Sequence, residues 1–338
     1  MPLIVQALHQ LLHPASLVGA TASSVLGGSL DSDGRPAISV WASTNRGSSA
    51  VRFEAVSNAD GRTSIRGLNH AGLATSGLLV LFSDPFSFPT RTLVDELSRR
   101  YPQIKIVGGI ASGAPAAGGN RLVCDRLTAS GGAVGLTFGN VDVAIVLAQA
   151  GEPIGDIMTV TAASGPNLVE LAGRPALTHL IEALGHLDDA ARFAALKHVQ
   201  LGIASDESAP ESGAGAFTML EVTGTESSSR VVRLDREVAP GTTAQFHLRS
   251  GAAAAANVWK ALTDAPANGG GSALVFVSKH RNEVLFHEPH TDANTITDWA
   301  GGPILAGMAT LGEIGPARSR TTVHAYAAAI ALFRDYDN

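Results

Sequence analysis

The apolar residues of this chain follow two patterns, short continuous or alternating runs typical of strands and spacings of three and four typical of helices. The strand-like runs are Ala37–Ser43, Val51–Val56, Leu78–Ser83, Leu122–Leu127, Ala133–Phe138, Val141–Ala148, Phe217–Val222, Val231–Leu234, Thr243–Leu248, Ala273–Ser278 and Ala325–Phe333. The helix-like patterns run through Ile4, Leu8, Leu11 and Leu12; Thr90–Arg100; Pro175–Leu184; Phe193, Leu196 and Val199; Ala255, Val258, Trp259 and Leu262; and Ile296 and Trp299. This order predicts an α/β (α+β) protein with mixed β-sheets and helices on their outer faces.

One arrangement occurs three times, around Gly19, Gly108 and Gly307. Each copy has a helical pattern, a proline, a short strand that enters the glycine, a turn of small residues, a loop and a second strand. We expect these internally repeated strand-helix-strand units to superpose. At each turn the glycine permits either tight strand packing or close approach to a ligand.

Strands Leu78–Ser83 and Ala273–Ser278 precede the second and third copies, and the first copy has no counterpart to them. A neighbouring strand should then present an unpaired edge, so we expect either that the true start of the chain lies upstream or that the chain is prone to association with another chain. The polar, turn-rich stretch 205–215 predicts a boundary between two packed domains, 1–204 and 205–338.

Composition narrows the classes of function. The chain has 338 residues, 45% hydrophobic and 16% charged, with a net charge of -6 and no basic run, so we expect no nucleic-acid partner. Its longest apolar runs fall short of the roughly 20 residues of a membrane span, so no membrane partner is expected. Cys124 is the single cysteine, which excludes an intrachain disulfide and favours a cytoplasmic location.

The common catalytic and nucleotide-binding motifs, such as G-x-S-x-G, the P-loop and H-E-x-x-H, are absent, so neither an enzyme nor a cofactor is expected. A histidine-rich stretch could in principle hold zinc; its residues are His280, His287, Glu288, His290 and Asp292. Pro289 interrupts the His287 to His290 spacing, so we interpret the stretch as a solvated loop and expect no metal.

Arg281 and Glu313 are the charged residues most suggestive of a ligand site. Arg281 follows a buried strand, where ligands of α/β sheets collect, and a guanidinium grips a carboxylate with two hydrogen bonds. Glu313 could bind an ammonium group. The two side chains could instead pair with each other.

The last glycine-rich turn adds Gly307, Thr310 and Gly312 to this expected site. The corresponding turn of the second copy offers backbone donors at Gly108 and Gly109 and the hydroxyl of Ser112 as another wall. An amphoteric metabolite such as an amino acid would suit the arrangement.

Motifs along nearly the whole chain resemble the FIST family. The motifs that resemble the N-terminal FIST domain are the turn at Gly108 and Gly109, Gly132–Leu136, Gly151–Gly155, Val160–Thr161 and Leu171–Ala176. The motifs that resemble the C-terminal FIST domain are Leu201–Ala204, Gln245–Arg249, Ala273–Phe276, Arg281, Leu285–Phe286, Ala306–Gly307, Gly312–Gly315 and His324.

The resemblance implies a stand-alone sensory module of intracellular signalling that binds a small ligand, for which amino acids are candidates, and that acts on a signalling protein. The chain departs from the family's Ser-Cys-x-Gly-Arg-Gly run, which reads Val277-Ser278-Lys279-His280-Arg281-Asn282 here and keeps only the arginine. This departure leaves the ligand open. The alternatives are a protein-interaction scaffold without a small ligand and, less favoured, an enzyme.

Overall fold

The computed structural model describes residues 1–32, 35–45, 47–57, 63–185, 187–204, 217–265, 271–286, 288, 290–300, 304–317 and 320–334. Its mixed sheets and helices confirm the predicted α/β class. The described residues group into two compact units, the first comprising Met1–Ala148, Val258–Pro316 and Arg320–Asn338 and the second comprising Gln149–Asn257 and Ala317–Ser319. Stretch 205–215, where a boundary is predicted, lies outside the described residues, and the division at residue 204 stays a prediction.

The helices are α1 (Pro2–Leu12), α2 (Ala71–Thr75), α3 (Thr90–Arg100), α4 (Ala176–Ala183), α5 (Asp189–Ala195), α6 (Gly251–Thr263) and α7 (Thr291–Ala300). Strands β1 to β11 are Val18–Ala20, Val25–Gly27, Leu30–Asp31, Ser49–Ser57, Thr63–Arg66, Leu78–Ser83, Lys105–Ala111, Leu122–Cys124, Leu127–Ala129, Ala133–Phe138 and Val143–Ala148. Strands β12 to β22 are Gly151–Ser164, Asn167–Leu171, Arg174–Pro175, Val199–Ala204, Phe217–Glu226, Val231–Leu234, Thr243–Arg249, Ser272–Ser278, Ile304–Ala317, Arg320–His324 and Ala328–Phe333.

The first unit is built on a large mixed sheet, in which the described strands run in the order β11-β22-β19-β20-β7-β6-β10-β4-β5, with β2, β3 and β21 joined to β20. Strands β6 and β7 are parallel and connected by α3, and β19 and β20 are parallel and connected by α7. Strands β20 and β7 meet antiparallel at the centre, and β10 and β22 flank β6 and β19 antiparallel. We call the antiparallel β20–β7 pair the central seam. The half of the sheet that begins with β20 and the half that begins with β7 therefore have the same strand order and directions on the two sides of this seam.

Alternate residues of the strands face opposite sides of the large sheet. On one side, α3 packs on Leu79 and Leu81, and α6 and α7 pack on Val275. On the other side, Phe82 and Phe276 meet edge to face, with ring centroids 5.8 Å apart, so the two halves share this face as well. Strands β1, β8 and β9 form a separate small antiparallel sheet. Its Leu122 packs into the same cluster as Phe82.

The second unit is an antiparallel sheet in which the described strands run β12-β18-β15-β16-β17-β13-β14. Strand β12 pairs with both β18 and β13, so the sheet closes on itself. Leu177 and Leu180 of α4 pack into a core with Leu201 and Phe246. The predicted strands Phe217–Val222, Val231–Leu234 and Thr243–Leu248 are realised within a few residues, because apolar runs bounded by turn residues leave little choice of register. Strands β12, β13, β14 and β15 were not among the predicted runs.

Three expectations about strands are wrong. Leu122–Leu127 is not one strand, because β8 ends at Cys124 and the chain turns back into β9 at Leu127. Residues 37–43 are not a strand; this segment is attached to the sheet by side chains, because Ser39 Oγ donates to the Leu26 carbonyl oxygen at 2.6 Å and Trp41 Nε1 donates to Ser272 Oγ at 3.0 Å. The three repeated glycines are not in turns, because they lie inside β1, β7 and β20.

Three expectations about helices are also wrong. The pattern through Phe193, Leu196 and Val199 is not one helix, because α5 ends at Ala195, a 3-10 turn follows and Val199 begins β15. Trp259 lies off the buried face of α6 and is 49% exposed. Helix α1 exposes Leu11, and the buried residue of α1 is Val5.

Candidate ligand-binding site

The central seam brings most of the predicted site residues together. Strand β20 pairs with β7 through Thr310 opposite Ala111, Glu313 opposite Gly109 and Ile314 opposite Gly108. The register shifts between Thr310 and Glu313, which is the mark of a β-bulge. A bulge re-aims side chains locally, and here two polar side chains three residues apart contact each other inside the sheet.

Packing explains the glycines at the seam. A Cβ atom on Gly109 would lie 2.2 Å from Thr310 Cγ2, and one on Gly307 would lie 2.3 Å from the Val275 carbonyl oxygen. Both positions therefore require glycine for close approach of neighbouring strands. Gly108 and Gly312 are likewise strand residues inside the sheet.

Ser112 links β7 to β20 directly after β7 ends. Its hydroxyl donates to the Ala309 carbonyl oxygen at 2.5 Å and accepts from the Ser23 amide at 3.0 Å. Ser112 is buried. Ser112, the hydroxyl expected to contact a ligand, thus holds three chain segments together.

Glu313 is a fully buried carboxyl group with neutral direct partners. Its Oε1 lies 2.6 Å from Thr310 Oγ1, and its Oε2 accepts from the Ala327 amide at 2.9 Å. Burial raises the pKa of Glu313 to about 8, against the opposing effects of these two hydrogen bonds and of the nearby positive charge of Arg281. Glu313 is therefore predominantly protonated at neutral pH.

The contacts of Thr310 fit a protonated Glu313. Thr310 Oγ1 is 3.2 Å from the Val277 carbonyl oxygen and 2.6 Å from Glu313 Oε1. A hydroxyl has one proton, so it can donate to only one of these two oxygens. When Thr310 donates to Val277, a protonated Glu313 donates to Thr310, and every group in the chain of hydrogen bonds is satisfied.

Arg281 is completely buried and paired with Asp292 rather than with Glu313. Its Nε and Nη2 donate to the two carboxylate oxygens of Asp292, each at 2.7 Å, and its Nη1 donates to the Tyr326 carbonyl oxygen at 3.1 Å. The guanidinium carbon also lies 5.2 Å from the centre of the Phe286 ring. Asp292 is in the first turn of α7, where the helix dipole favours a negative charge.

The interpretation of the histidine-rich stretch as a solvated loop is wrong for most of its described residues, because Arg281–Phe286 form a π-helix and Asp292 is buried in the first turn of α7. Nothing in the sequence indicates the pairing of Asp292 with Arg281. Tyr326, which supplies a carbonyl oxygen to Arg281 from a left-handed backbone conformation at φ 56°, gave no signal in the sequence. His290 Nδ1 accepts from the Asp31 amide at 3.0 Å, and His287 lies outside the described residues. Within the described ranges no three His, Cys, Asp or Glu side chains are grouped to hold a metal ion.

A cavity of about 150 Å³ lies on the sheet face opposite the helices. Two of the repeated glycines, Gly19 and Gly307, contribute to its wall, and Ser39 and Trp41 enter it from the segment expected to be a strand. The other lining residues are apolar: Val18, Ala20, Val25, Val80, Phe82, Leu136, Phe138, Leu274, Phe276, Ala306 and Met308. Phe276 lines the cavity and also lies next to the seam. A Cβ atom on Gly109, which is a seam residue, would contact both the Phe276 ring and Thr310.

Comparison of the sequence with known protein families identifies the family of this chain. Residues 1–174 match the FIST N domain and residues 176–316 match the FIST C domain. The chain belongs to the FIST family. FIST domains are generally considered sensory, ligand-binding domains of signalling proteins.

Proteins similar in sequence to this chain occur in mycobacteria. The chain is 32% identical over 336 residues to "Uncharacterized protein Rv0628c" of Mycobacterium tuberculosis, covering 98% of this chain and 87% of the relative. It is 31% identical over 336 residues to "Uncharacterized protein Mb0898c" of Mycobacterium bovis, covering 98% and 86%. In this FIST protein, none of the described helices has the length and apolar character to cross a membrane.

Proposed function

We propose that this FIST protein is a sensor that binds a small ligand in the apolar cavity of its first unit. The observation that carries the proposal is a preformed cavity between the sheet and the segment of Ser39 and Trp41. Small-molecule sites are typically concave, mostly apolar and equipped with a few polar groups. The family supports a sensory role, and the cavity supplies a location for the ligand.

The size and lining of the cavity define the class of ligand. An engineered apolar cavity of about 150 Å³ accepts benzene. A group of that size, such as a branched aliphatic or a phenyl side chain, would fill the space beside Phe82, Leu136 and Phe276.

Ser39 offers the ligand one hydrogen bond. Its hydroxyl proton is donated to Leu26, and one lone pair accepts from the Gly307 amide at 3.4 Å. Because a hydroxyl oxygen has two acceptor positions, one remains for a donor on the ligand. The side chain of an apolar amino acid fits the apolar part of this cavity.

The charged groups of such an amino acid would be bound at the polar end of the seam. In this proposal the carboxylate binds Arg281 in exchange for Asp292, and the ammonium group binds Glu313 with loss of the Glu313 proton. Both residues are buried and already partnered, so binding requires their rearrangement. Such an exchange would give the sensor two states, because the ligand would disconnect α7 from Arg281.

Thermal-shift screening against leucine, valine, phenylalanine and their deaminated acids tests the proposal. A ligand at 100 times its dissociation constant adds about 2.7 kcal/mol to the free energy of unfolding. Binding of both the amino acids and the acids would support the cavity and count against the roles of Glu313 and the ammonium group. No stabilisation by any apolar metabolite of this size would contradict the proposal.

A protein-interaction scaffold is the second candidate. Helix α1 supports it, because Leu3 and Leu11 are 80% and 77% exposed and Leu12 is also exposed. A sensor needs a protein partner as well, so the two functions differ in whether the partner binds without a ligand. We propose neither a catalytic activity nor a cofactor for this chain.

A further inference from the structure

Among the described residues that line the apolar cavity, only Ser39 and Trp41 lie outside strands. Both belong to segment 35–45, which we call the strap. Their neighbours Ile38 and Val40 are 60% and 44% exposed, so side chains alternate between the cavity and solvent as along an extended chain. The strap therefore forms one wall of the cavity and, on its other side, part of the protein surface.

Side chains rather than a backbone ladder attach the strap to the first unit. Ser39 Oγ donates to the Leu26 carbonyl oxygen at 2.6 Å, and Trp41 Nε1 donates to Ser272 Oγ at 3.0 Å. At the end of the strap, Asn45 Nδ2 donates to a backbone carbonyl oxygen at 3.0 Å. No described residue of the strap belongs to a strand. A few side-chain hydrogen bonds thus take the place of strand pairing, and each such bond contributes little net stability.

The other walls of the cavity are held more firmly. Strands β6 and β19, which contribute Phe82 and Phe276, are hydrogen-bonded to a neighbouring strand on each side. Phe276 and Met308 are 0% and 6% exposed, so a molecule larger than water reaches them only when a wall moves. Proteins open first where backbone pairing and packing are weakest, and in this cavity that place is the strap.

We propose that the strap is the gate of the apolar cavity and that the hydrogen bond from Trp41 to Ser272 is its latch. In the closed state the Trp41 ring packs against Phe333, with ring centroids 4.4 Å apart. When the latch breaks, Trp41 leaves with the strap and the cavity opens to solvent. Ser272 does not line the cavity, so it controls entry without contacting the molecule that enters. This inference rests on the proposed function only for the identity of that molecule.

Thiol labelling tests the gate in the absence of any ligand. Met308→Cys places a thiol in the cavity wall, and Val275→Cys places one on the buried, helix-covered face of the same sheet, each in a Cys124→Ser background that has no other cysteine. Mass spectrometry follows the modification of each thiol by methyl methanethiosulfonate. Ser272→Ala removes the latch. Ser64→Ala is the matched control, because it removes a hydroxyl that donates to a backbone carbonyl oxygen of β4, away from the strap.

We expect Ser272→Ala to speed labelling of the Met308→Cys thiol by about two- to tenfold, the change that corresponds to loss of one hydrogen bond. Labelling of the Val275→Cys thiol should not change, and Ser64→Ala should affect neither thiol. An unchanged rate at Met308→Cys, or equal acceleration of both thiols, would overturn the gate, because the cavity would then open without the strap or by unfolding of the sheet. A Met308→Cys thiol that reacts as fast as a free thiol before the latch is removed would also overturn it.

These outcomes are separate from the test of the proposed function. Selective acceleration at Met308→Cys, together with no thermal stabilisation by any apolar metabolite, would support the gate and count against the ligand. Thermal stabilisation by leucine without selective acceleration would support the cavity as a ligand site and overturn the gate.

Discussion

Thr310 and Glu313 lie on either side of a β-bulge in β20, with Thr310 Oγ1 2.6 Å from Glu313 Oε1 in the interior of the sheet. This contact lies within β20, where that strand pairs with β7. Burial keeps the Glu313 carboxyl group protonated, because it raises the pKa of Glu313 to about 8 against the opposing effect of the Thr310 hydrogen bond.

Replacing Glu313 with Gln should remove a pH dependence of stability. The pKa of Glu313 is raised from 4.5 to about 8 in the fold. As pH rises from 4.5 to 8, the unfolded chain loses this proton and the native protein keeps it, so the free energy of unfolding falls by up to about 1.4 kcal/mol per pH unit. Urea unfolding of parent and Glu313→Gln from pH 5 to 8 measures the difference, and parallel curves would be inconsistent with a buried proton.

Removing Asp292 should be costly because it leaves Arg281 charged and buried. Asp292→Ala is expected to lower the free energy of unfolding by about 3 to 5 kcal/mol. The control is Asp264→Ala, which breaks an exposed ion pair with Lys260 and should cost about 1 kcal/mol or less. Similar losses for the two variants in urea unfolding would show that the buried pair is not specifically important.

Gly307→Ala should destabilise the first unit by about 1 to 3 kcal/mol, because its Cβ would overlap the Val275 carbonyl oxygen. Gly27→Ala is the matched control in β2, where an added Cβ meets no atom within 4 Å. Thermal unfolding should distinguish the two, with Gly27→Ala close to the parent. An unaffected Gly307→Ala would mean that β19 and β20 are less tightly packed than the structure indicates.

His247 should make the second unit sensitive to acid. It is buried beside Phe217, both ring nitrogens lack hydrogen-bond partners among the described residues, and burial lowers its pKa from 6.5 to about 4. Between pH 6.5 and 4 the unfolded state binds the proton and the native state does not, so stability falls as pH falls, by a total of about 3 kcal/mol.

Unfolding of His247→Asn from pH 4 to 7 checks this prediction, with the exposed His13→Asn as control. The His247 variant should lose less stability on acidification than the parent, and the His13 variant should behave like the parent. Identical acid sensitivity of all three proteins would contradict the role of His247.

Much of the fold could be predicted from the sequence. Strands Leu78–Ser83, Ala133–Phe138 and Val231–Leu234 and helix Thr90–Arg100 have the predicted ends, because their apolar pattern and local turn residues agree. Residues 37–43 have an equally strand-like composition, yet side-chain hydrogen bonds at Ser39 and Trp41 hold them without a backbone ladder. Local patterns do not report such long-range contacts.

The candidate site was predictable in its residues but not in its pairings. Arg281, Glu313, Ser112 and Thr310 stood out in the sequence, and the seam brings the last three together with Gly109. The partner of Arg281 depends on how α7 packs after β19, which no local pattern specifies. The cavity is formed by several strands and an irregular segment, so its existence follows only from the assembled sheet.

Calorimetry of an apolar ligand with two cavity variants tests the central claim most directly. Ala306→Leu fills the cavity from its wall, while Leu274→Met conserves volume at a neighbouring lining position. For the best ligand of the thermal-shift screen, we predict that the parent and Leu274→Met bind with similar affinity and that folded Ala306→Leu shows no binding heat. Undiminished binding to folded Ala306→Leu would contradict the proposal that this cavity is the sensor's ligand site.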